Sequence, residues 1–280
     1  DGRVVDLYKS ITTIFECKPE YFFKYCVNVA DENQTNDCEY YQGLKRYVDS
    51  VIYPDFPYSH VYAIKEVVEK IPADSVLHLS INDSIRITNF FKLNPRIKTY
   101  ANIGTHGIDG CLSSFLGQAA TGNKQSYLVI GDLAFFYDMN AMRLRHIKNN
   151  VHILLINNEG GSEFYFNHMW KDEASDLHTT ARHHTKAEGW VKSNNFIYLS
   201  AHDKESMQEA LKEFMRSDLE KPVFLEVFTE MKTDSDVIYD FFDLSRPKDV
   251  QSETIRKSKE FIKATIGQEK AQKIAGLFKK

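Results

Sequence analysis

The sequence predicts an α/β fold, in which helices cover both faces of a doubly wound parallel β-sheet. Three observations predict it: short runs of Val, Ile, Leu and Tyr recur along the chain, helix-like segments separate them, and the runs are apolar almost throughout. Strands that are buried on both faces have this near-continuous apolar character. Regular alternation of strands and helices is typical of a parallel sheet.

The start of the chain does not look like an independent domain. Apolar and aromatic residues lie near helical spacing over residues 11–29, where Pro19 interrupts them, and residues 30–41 are polar and loop-like. Such a segment would make a poor core by itself. We therefore predict three segments, namely residues 1–58 as the tail of a preceding domain with its linker, residues 59–245 as the α/β domain, and residues 246–280 as a helical extension.

The elements of the predicted domain follow in a regular series. Residues 61–71 carry Val and Ile at helical spacing, and Pro72 ends this helix. Strands are then predicted at residues 76–81, 99–103, 127–130, 151–156, 196–199 and 223–228. The clearest helices between the strands are predicted at residues 107–120, 133–148 and 204–219, and a charged amphipathic helix or helix pair at residues 252–280.

Composition and charge exclude several classes of function. The formal net charge is −4, so the chain lacks the basic surface of a nucleic-acid-binding protein and has no strong attraction to an anionic membrane. No apolar run approaches the ~18 residues that a membrane-spanning helix needs. The cysteines form no CxxC pair and no zinc-binding spacing, which indicates reduced thiols in a cytoplasmic protein.

Two of the predicted strands end in residues suited to binding a phosphate and a metal ion. Gly131-Asp132 directly follows one strand, and Asn157-Asn158 follows the next, with Gly160 two positions further on. One strand–helix–strand crossover separates these ends, so both should reach the same edge of the sheet. Asp132 offers a carboxylate, Asn158 an amide oxygen and the turn near Gly160 a backbone carbonyl, which are oxygen ligands of the kind that Mg²⁺ prefers.

These motifs resemble the cofactor-binding motif of the thiamin-diphosphate (ThDP) enzymes, which is usually written GDG followed by NN. The variant with Leu133 as its third residue, followed by Tyr137-Asp138-Met139-Asn140-Ala141, is most similar to the menaquinone-pathway carboligases called SEPHCHC synthases. The resemblance covers roughly residues 60–230. It implies the diphosphate-binding (PP) domain of the ThDP fold.

The resemblance also implies Mg²⁺ and ThDP as cofactors. Asp132, Asn158 and the Gly160 carbonyl would bind Mg²⁺, and Ile108 would lie beneath the thiazolium ring. The backbone of residues 131–134 and the Thr105–His106 turn would hold the diphosphate. The full set of implied cofactor-binding residues is Gly104, Thr105, His106, Gly107, Ile108, Gly131, Asp132, Leu133, Ala134, Asn158, Gly160 and Gly161.

The sequence departs from the family pattern where a substrate would bind. Ile103 replaces an arginine that is expected to bind a substrate carboxylate, and Ala134 replaces the usual serine. These departures favour a substrate other than that of the SEPHCHC synthases. Candidate anion ligands are Arg86, Arg182 and Lys186.

Two neighbouring histidines follow the metal motif. His183 and His184 are candidate general acid/base residues, because histidine titrates near neutral pH. The alternative interpretation is a solvated polar loop. By the resemblance, this segment lies where the fold usually places a loop over the cofactor.

The expected reaction is decarboxylation of a 2-oxoacid, followed by transfer of the acyl carbanion to an acceptor. The family also needs a glutamate from a separate pyrimidine-binding (PYR) domain, on the same or a partner chain, usually within a homodimer or tetramer. That domain does not fit into this sequence, and the start at Asp1 without Met suggests a fragment, although a natural half-subunit is the alternative. Two other functions stay open: simple 2-oxoacid decarboxylation of the phosphonopyruvate or sulfopyruvate type, and a non-catalytic α/β binding module.

Overall fold

The structure is a computed structural model that describes residues 4–6, 9–30, 38–104, 106–165 and 177–245. The chain divides into two compact units, Asp1–Ile52 and Tyr53–Lys280. The predicted C-terminal extension, residues 246–280, lies outside the described residues.

In the described part of the first unit there are two helices, α1 (Pro19–Val29) and α2 (Glu39–Asp49). Neither helix has a buried residue. Pro19 begins α1 instead of interrupting a longer helix, since proline at the first helical position has no N–H that needs a partner. The prediction of a loop over residues 30–41 was wrong at its end, because Glu39 and Tyr40 already belong to the amphipathic α2.

The second unit contains a six-stranded sheet, and all six predicted strands are present. Their bounds are β1 (Val76–Leu79), β2 (Lys98–Ala101), β3 (Ser126–Gly131), β4 (Val151–Asn157), β5 (Ile197–Ala201) and β6 (Val223–Phe228). Every neighbouring pair is parallel, in the order β2-β1-β3-β4-β6-β5. The prediction of an α/β doubly wound fold is therefore confirmed.

The strand order reverses between β1 and β3. From β1 the chain passes outward to β2, and it then returns to β3 on the other side of β1 and continues to β4. In open α/β sheets, a crevice forms at such a switch point, outside the carboxyl ends of the strands. The topology therefore places a ligand cleft between the ends of β1 and β3.

Helices pack around this sheet. Among the described residues of the second unit they are α3 (His60–Val68), α4 (Asp83–Thr88), α5 (Cys111–Ala120), α6 (Asp132–Asp138), α7 (Ser162–Tyr165), α8 (Glu188–Ser193), α9 (Lys204–Phe214) and α10 (Met231–Ser245), with a 3₁₀ helix at Met139–Arg143. The helix predicted over residues 133–148 is shorter, because α6 ends at Asp138 and the 3₁₀ turn follows. The Met139 carbonyl accepts a hydrogen bond from the Trp190 indole at 2.9 Å.

The core lies along the two central strands. All of β4 is buried, as is β3 up to Ile130, and Phe115 of α5 and Phe135 of α6 belong to the same apolar cluster. The edge strand β2 differs, since all four of its residues are exposed. The expectation that every strand is buried on both faces was therefore wrong for β2, and also for the other edge strand, β5, in which Ala201 alone is buried.

His152 of β4 is enclosed in this core and makes stability depend on pH. Its ring stacks on Tyr127, and its Nδ1 lies 2.7 Å from the Phe214 carbonyl oxygen. Burial lowers the pKa of His152 to about 4. The unfolded chain takes up this proton near pH 6.5, so the stability conferred by the neutral ring is complete above pH 6.5 and is lost as pH falls toward 4.

We expect His152→Phe, which keeps an aromatic ring and removes the titrating group, to flatten this pH dependence. Between pH 7 and pH 5, the wild type should lose about 2 kcal/mol more free energy of unfolding than the variant. Urea denaturation at the two pH values measures the difference. Equal losses in both proteins would contradict the prediction.

Within the described ranges, no helix is long and apolar enough to cross a lipid bilayer. None of the four cysteines, all of them within the described residues, forms a disulfide, and Cys111 is buried.

Candidate functional site

A cleft opens at the carboxyl edge of the sheet, at the switch point between β1 and β3. Its empty space is about 610 Å³, including the part that is open to solvent. Most of the predicted cofactor-binding residues line it, namely Ile108, Gly131, Asp132, Leu133, Ala134, Asn158, Gly160 and Gly161. The structure therefore brings together both strand-end motifs, as the crossover spacing predicts.

Sheet register sets Asp132 beside the loop that follows β4. Gly131 pairs with Ile156, so Asp132 emerges next to the end of the neighbouring strand. Its buried carboxylate accepts backbone hydrogen bonds at Oδ2 from Asn158 at 3.1 Å and from Gly160 at 3.0 Å. Asp132 thus fixes the loop that carries the other two predicted metal ligands.

The Asn158 side chain is held by a second buried carboxylate. Its Nδ2 donates to Oδ2 of Asp234, in the first turn of α10, at 3.0 Å. The Thr229 hydroxyl donates to the same oxygen at 2.7 Å. Oδ1 of Asp234 accepts the backbone N–H of His60 at 2.8 Å.

Gly160 lies directly against the backbone of the segment that covers this loop. Its φ is +153°, and a Cβ at this position would lie 2.6 Å from the Thr180 carbonyl oxygen. The neighbouring Gly161 N–H donates to that oxygen at 2.6 Å. A side chain at residue 160 would therefore displace the segment that covers the loop.

His60 lines the cleft and lies between two carboxylates. Its Nδ1 is 3.2 Å from Oδ1 of Asp234, and its Nε2 is 3.8 Å from Oδ2 of Asp83. These are charge contacts and not aligned hydrogen bonds, since neither ring nitrogen has a hydrogen-bond partner among the described residues. Burial by itself lowers the pKa of His60, but the two carboxylates outweigh it and raise the pKa above its ordinary value.

The two candidate histidines occupy different surroundings. His183 is half-buried, and its Nε2 lies 3.4 Å from Oδ2 of Asp132, which raises the pKa of His183. His184 is exposed, with its Nδ1 3.1 Å from Glu159. Only His183 therefore touches a predicted metal ligand.

A buried glutamate on β6 anchors the segment that carries these histidines. Glu226 accepts hydrogen bonds from Asn157 Nδ2 at 2.7 Å and from the Ala187 N–H at 3.1 Å. The Tyr198 hydroxyl donates to it at 2.7 Å, and Asn157 Nδ2 also donates to the Thr185 carbonyl at 2.9 Å. Glu226 thus ties the end of β4 to the 183–187 segment.

The candidate substrate-binding cations lie at or beyond the rim of the cleft. Arg86 forms an ion pair with Glu163, which lines the cleft. Arg182 is 3.9 Å from Glu159, and Lys186 lies over the Phe228 ring. Of the three, Arg86 is the one whose partner forms part of the cleft wall.

The predicted turn before Ile108 is only partly within the cleft. Ile108 lines the cleft, whereas Gly104, His106 and Gly107 lie on the chain that leads to it and do not line it. His106 has a positive φ of 55°. Thr105 lies outside the described residues.

Sequence reasoning missed several residues of the site. Asp83 follows β1, and Asp234 follows β6, so the same strand-end rule that found Asp132 could have pointed to both. Ser80 also lies in the cleft wall at the end of β1. His60 gave no such signal, because it precedes the first strand.

The donor set fits a divalent cation beside a diphosphate. Among the described residues, no three His, Cys, Asp or Glu side chains cluster as a metal site, so a cation here would depend on amide, carbonyl and ligand oxygens as well as Asp132. The buried Ser80 hydroxyl has no hydrogen-bond partner within that part of the chain and is available to a ligand. A Cβ at Gly131 would meet open space, which leaves room for a phosphate group.

Comparison with curated proteins finds relatives that match most of this chain. The chain is similar to the 2-succinyl-5-enolpyruvyl-6-hydroxy-3-cyclohexene-1-carboxylate synthases of Phocaeicola vulgatus (34% identity over 244 residues), Bacteroides fragilis (36% over 245) and Bacteroides thetaiotaomicron (35% over 244). Each match covers 86% of this chain but only 43–44% of the relative, so the chain spans less than half of their length. No family model matches the chain.

Proposed function

The chain is homologous to part of the SEPHCHC synthases, and from that relationship we propose that it forms the diphosphate-binding part of a Mg²⁺- and ThDP-dependent enzyme. One observation carries the proposal: Asp132 and Asn158 reach a single cleft from the ends of adjacent strands. The cleft lies at the switch point of the sheet, where ligands of α/β folds bind.

The residues present would hold the two cofactors as follows. The Asp132 carboxylate, the Asn158 amide oxygen and the Gly160 carbonyl would bind Mg²⁺, and the diphosphate and water would supply further oxygen ligands. The backbone of residues 131–134 would hold the diphosphate, and the unpaired Ser80 hydroxyl would supply a further donor. In this role Ser80 would compensate for the alanine at position 134, where the family usually has serine.

The reaction that we propose is decarboxylation of a 2-oxoacid and transfer of the resulting acyl group to an acceptor. Bound ThDP would supply the electron sink for this chemistry. Ile108 would support its ring from the cleft wall. His183, next to Asp132, is better placed than the exposed His184 to hold or move a proton near the cofactor.

The substrate is proposed to differ from that of the SEPHCHC synthases. Ile103, which is 45% exposed after β2, cannot form the ion pair with a substrate carboxylate that an arginine would make. Arg86 is the remaining candidate anion ligand at the cleft rim. The same departure favours a second candidate, simple decarboxylation with protonation, and product analysis with and without an aldehyde acceptor distinguishes the two reactions.

A complete active site would also need a PYR domain with its glutamate, from the same or a partner chain in a homodimer or tetramer. We propose this requirement because the chain matches only 43–44% of the length of each relative. We propose a cytoplasmic location for the assembled enzyme.

We expect the 280-residue chain alone to bind ThDP weakly, to need Mg²⁺ for that binding, and to show no turnover of a 2-oxoacid. Without a second domain, much of the cofactor would stay exposed to water. Isothermal calorimetry with ThDP in the presence of Mg²⁺ or of EDTA measures the first two points, and a decarboxylation assay measures the third. Binding that is equal with EDTA would favour a non-catalytic module, and robust decarboxylation would refute the need for a second domain.

A further inference from the structure

Three titratable side chains lie in a row at the cleft wall, namely Asp83 and His60, which line the cleft, and Asp234 next to His60. All three are shielded from solvent, and His60 and Asp234 almost completely. His60 stands between the two carboxylates, facing Asp234 at 3.2 Å and Asp83 at 3.8 Å. Burying a carboxylate costs free energy unless the group is paired. The partners of these two carboxylates therefore indicate what they do.

Each carboxylate holds one end of the same short loop. Asp234 accepts a hydrogen bond from Asn158 Nδ2 at 3.0 Å, and Asp83 accepts one from the Ser162 hydroxyl at 2.7 Å. Between these two anchors run residues 158–162, which include Gly160 with its carbonyl. The loop that would carry two of the three Mg²⁺ ligands is therefore held at both ends by carboxylates that face the same histidine.

The contact with Asp234 also decides which way the Asn158 amide faces. An ionised carboxylate only accepts hydrogen bonds, so it must meet the amide nitrogen and not the amide oxygen. Both Asp234 oxygens already act as acceptors, Oδ2 from the Thr229 hydroxyl and Oδ1 from the His60 backbone N–H. With its nitrogen committed, Asn158 directs its oxygen away from Asp234, as a cation ligand requires.

We propose that Asp234 is a positioning residue that acts through Asn158, and that His60 and Asp83 complete a buried support which presets the 158–162 loop for a divalent cation. This inference rests on the proposed function, because it concerns the same cation. Residues behind a metal's direct ligands commonly change its affinity by 10–100-fold (about 1.4 to 2.7 kcal/mol) when they are replaced.

The test is a double-mutant cycle on the full 280-residue chain, with Mn²⁺ as the probe in the presence of ThDP. Bound Mn²⁺ is counted by electron paramagnetic resonance for the wild type, Asp234→Asn, Asn158→Ala and the double variant. We expect Asp234→Asn to raise the Kd for Mn²⁺ about tenfold, because the amide of Asn158 is then free to turn its nitrogen toward the cation. In the Asn158→Ala background, Asp234→Asn should have no further effect.

The matched control is Asp236→Asn on the same helix, where an exposed aspartate pairs with Lys232. It should leave the Kd unchanged. If Asp234→Asn does not fold, Thr229→Val takes its place in the cycle, since it removes one hydrogen bond to Asp234 and keeps the charge. Its expected effect is about threefold and is also absent from the Asn158→Ala background.

The outcomes separate this inference from the proposed function. If the wild type does not bind Mn²⁺ with ThDP, or binds it equally well after Asp132→Asn, the proposed function and this inference both fail. If Asp132→Asn weakens binding but Asp234→Asn does not, only the inference fails. Equal effects of Asp234→Asn in both backgrounds would show a general structural role and would overturn the positioning role.

Discussion

Replacing Asp132 with asparagine is expected to weaken Mg²⁺-dependent binding of ThDP about 100-fold, which corresponds to about 2.7 kcal/mol. Asp132 is the one carboxylate among the three proposed ligands, and Mg²⁺ in phosphate sites depends on one or two carboxylates. The variant also disturbs the loop, since both carboxylate oxygens accept backbone N–H groups: Oδ1 from Leu133 and Oδ2 from Asn158 and Gly160. In the asparagine variant, the side-chain NH₂ group would face one of these backbone N–H groups, so two hydrogen-bond donors would oppose each other.

Isothermal calorimetry of ThDP in saturating Mg²⁺ measures this effect. Asp74→Asn is a suitable control, because Asp74 is exposed and pairs only across 3.5 Å with Arg96. The control should bind as the wild type does. Unchanged binding in Asp132→Asn would remove the basis for the cofactor assignment.

The largest effect on stability is expected from Glu226→Ala, which should lower the free energy of unfolding by roughly 3 to 5 kcal/mol. Glu226 is fully buried in β6, and its loss leaves the Ala187 N–H and the Tyr198 hydroxyl without their acceptor and leaves Asn157 Nδ2 with the Thr185 carbonyl alone. Each unpaired buried donor costs about 1–3 kcal/mol before any relaxation.

Urea denaturation followed by circular dichroism measures the change. Glu226→Gln keeps the volume and one acceptor oxygen, so its loss should be smaller, about 2 kcal/mol. The exposed Glu205 of α9 provides the control, and Glu205→Ala should stay within about 0.5 kcal/mol of the wild type. A Glu226→Ala protein as stable as the wild type would show that water replaces the lost acceptor.

The sheet was predictable because its strands carry a local signal. The runs at residues 127–130 and 151–156 are apolar throughout, and the structure buries both within β3 and β4. The edge strand β2 was predictable as a strand but not as an exposed one, since strand order depends on tertiary pairing that a single run does not encode. Helix α2 was missed because its polar composition hides the amphipathic spacing.

The candidate site was predictable where its residues adjoin strand ends in sequence. Gly131-Asp132 and Asn157-Asn158 follow neighbouring strands, and the crossover geometry brings them together without any knowledge of packing. The support behind them was not predictable, because His60 and Asp234 are 174 positions apart and meet only through the packing of α3 and α10. The different surroundings of His183 and His184 likewise follow from the fold of the covering segment and not from their adjacent positions.

The position of Asp234 in the chain has a consequence for biosynthesis. All six strands are complete at Phe228, whereas Thr229 and Asp234, which hold Asn158, come afterwards. A nascent chain emerging from the ribosome can therefore assemble its whole sheet while the cation loop still lacks its anchor. If the loop binds a divalent cation as proposed, that binding would have to wait until the first turn of α10, with Asp234, has emerged as well.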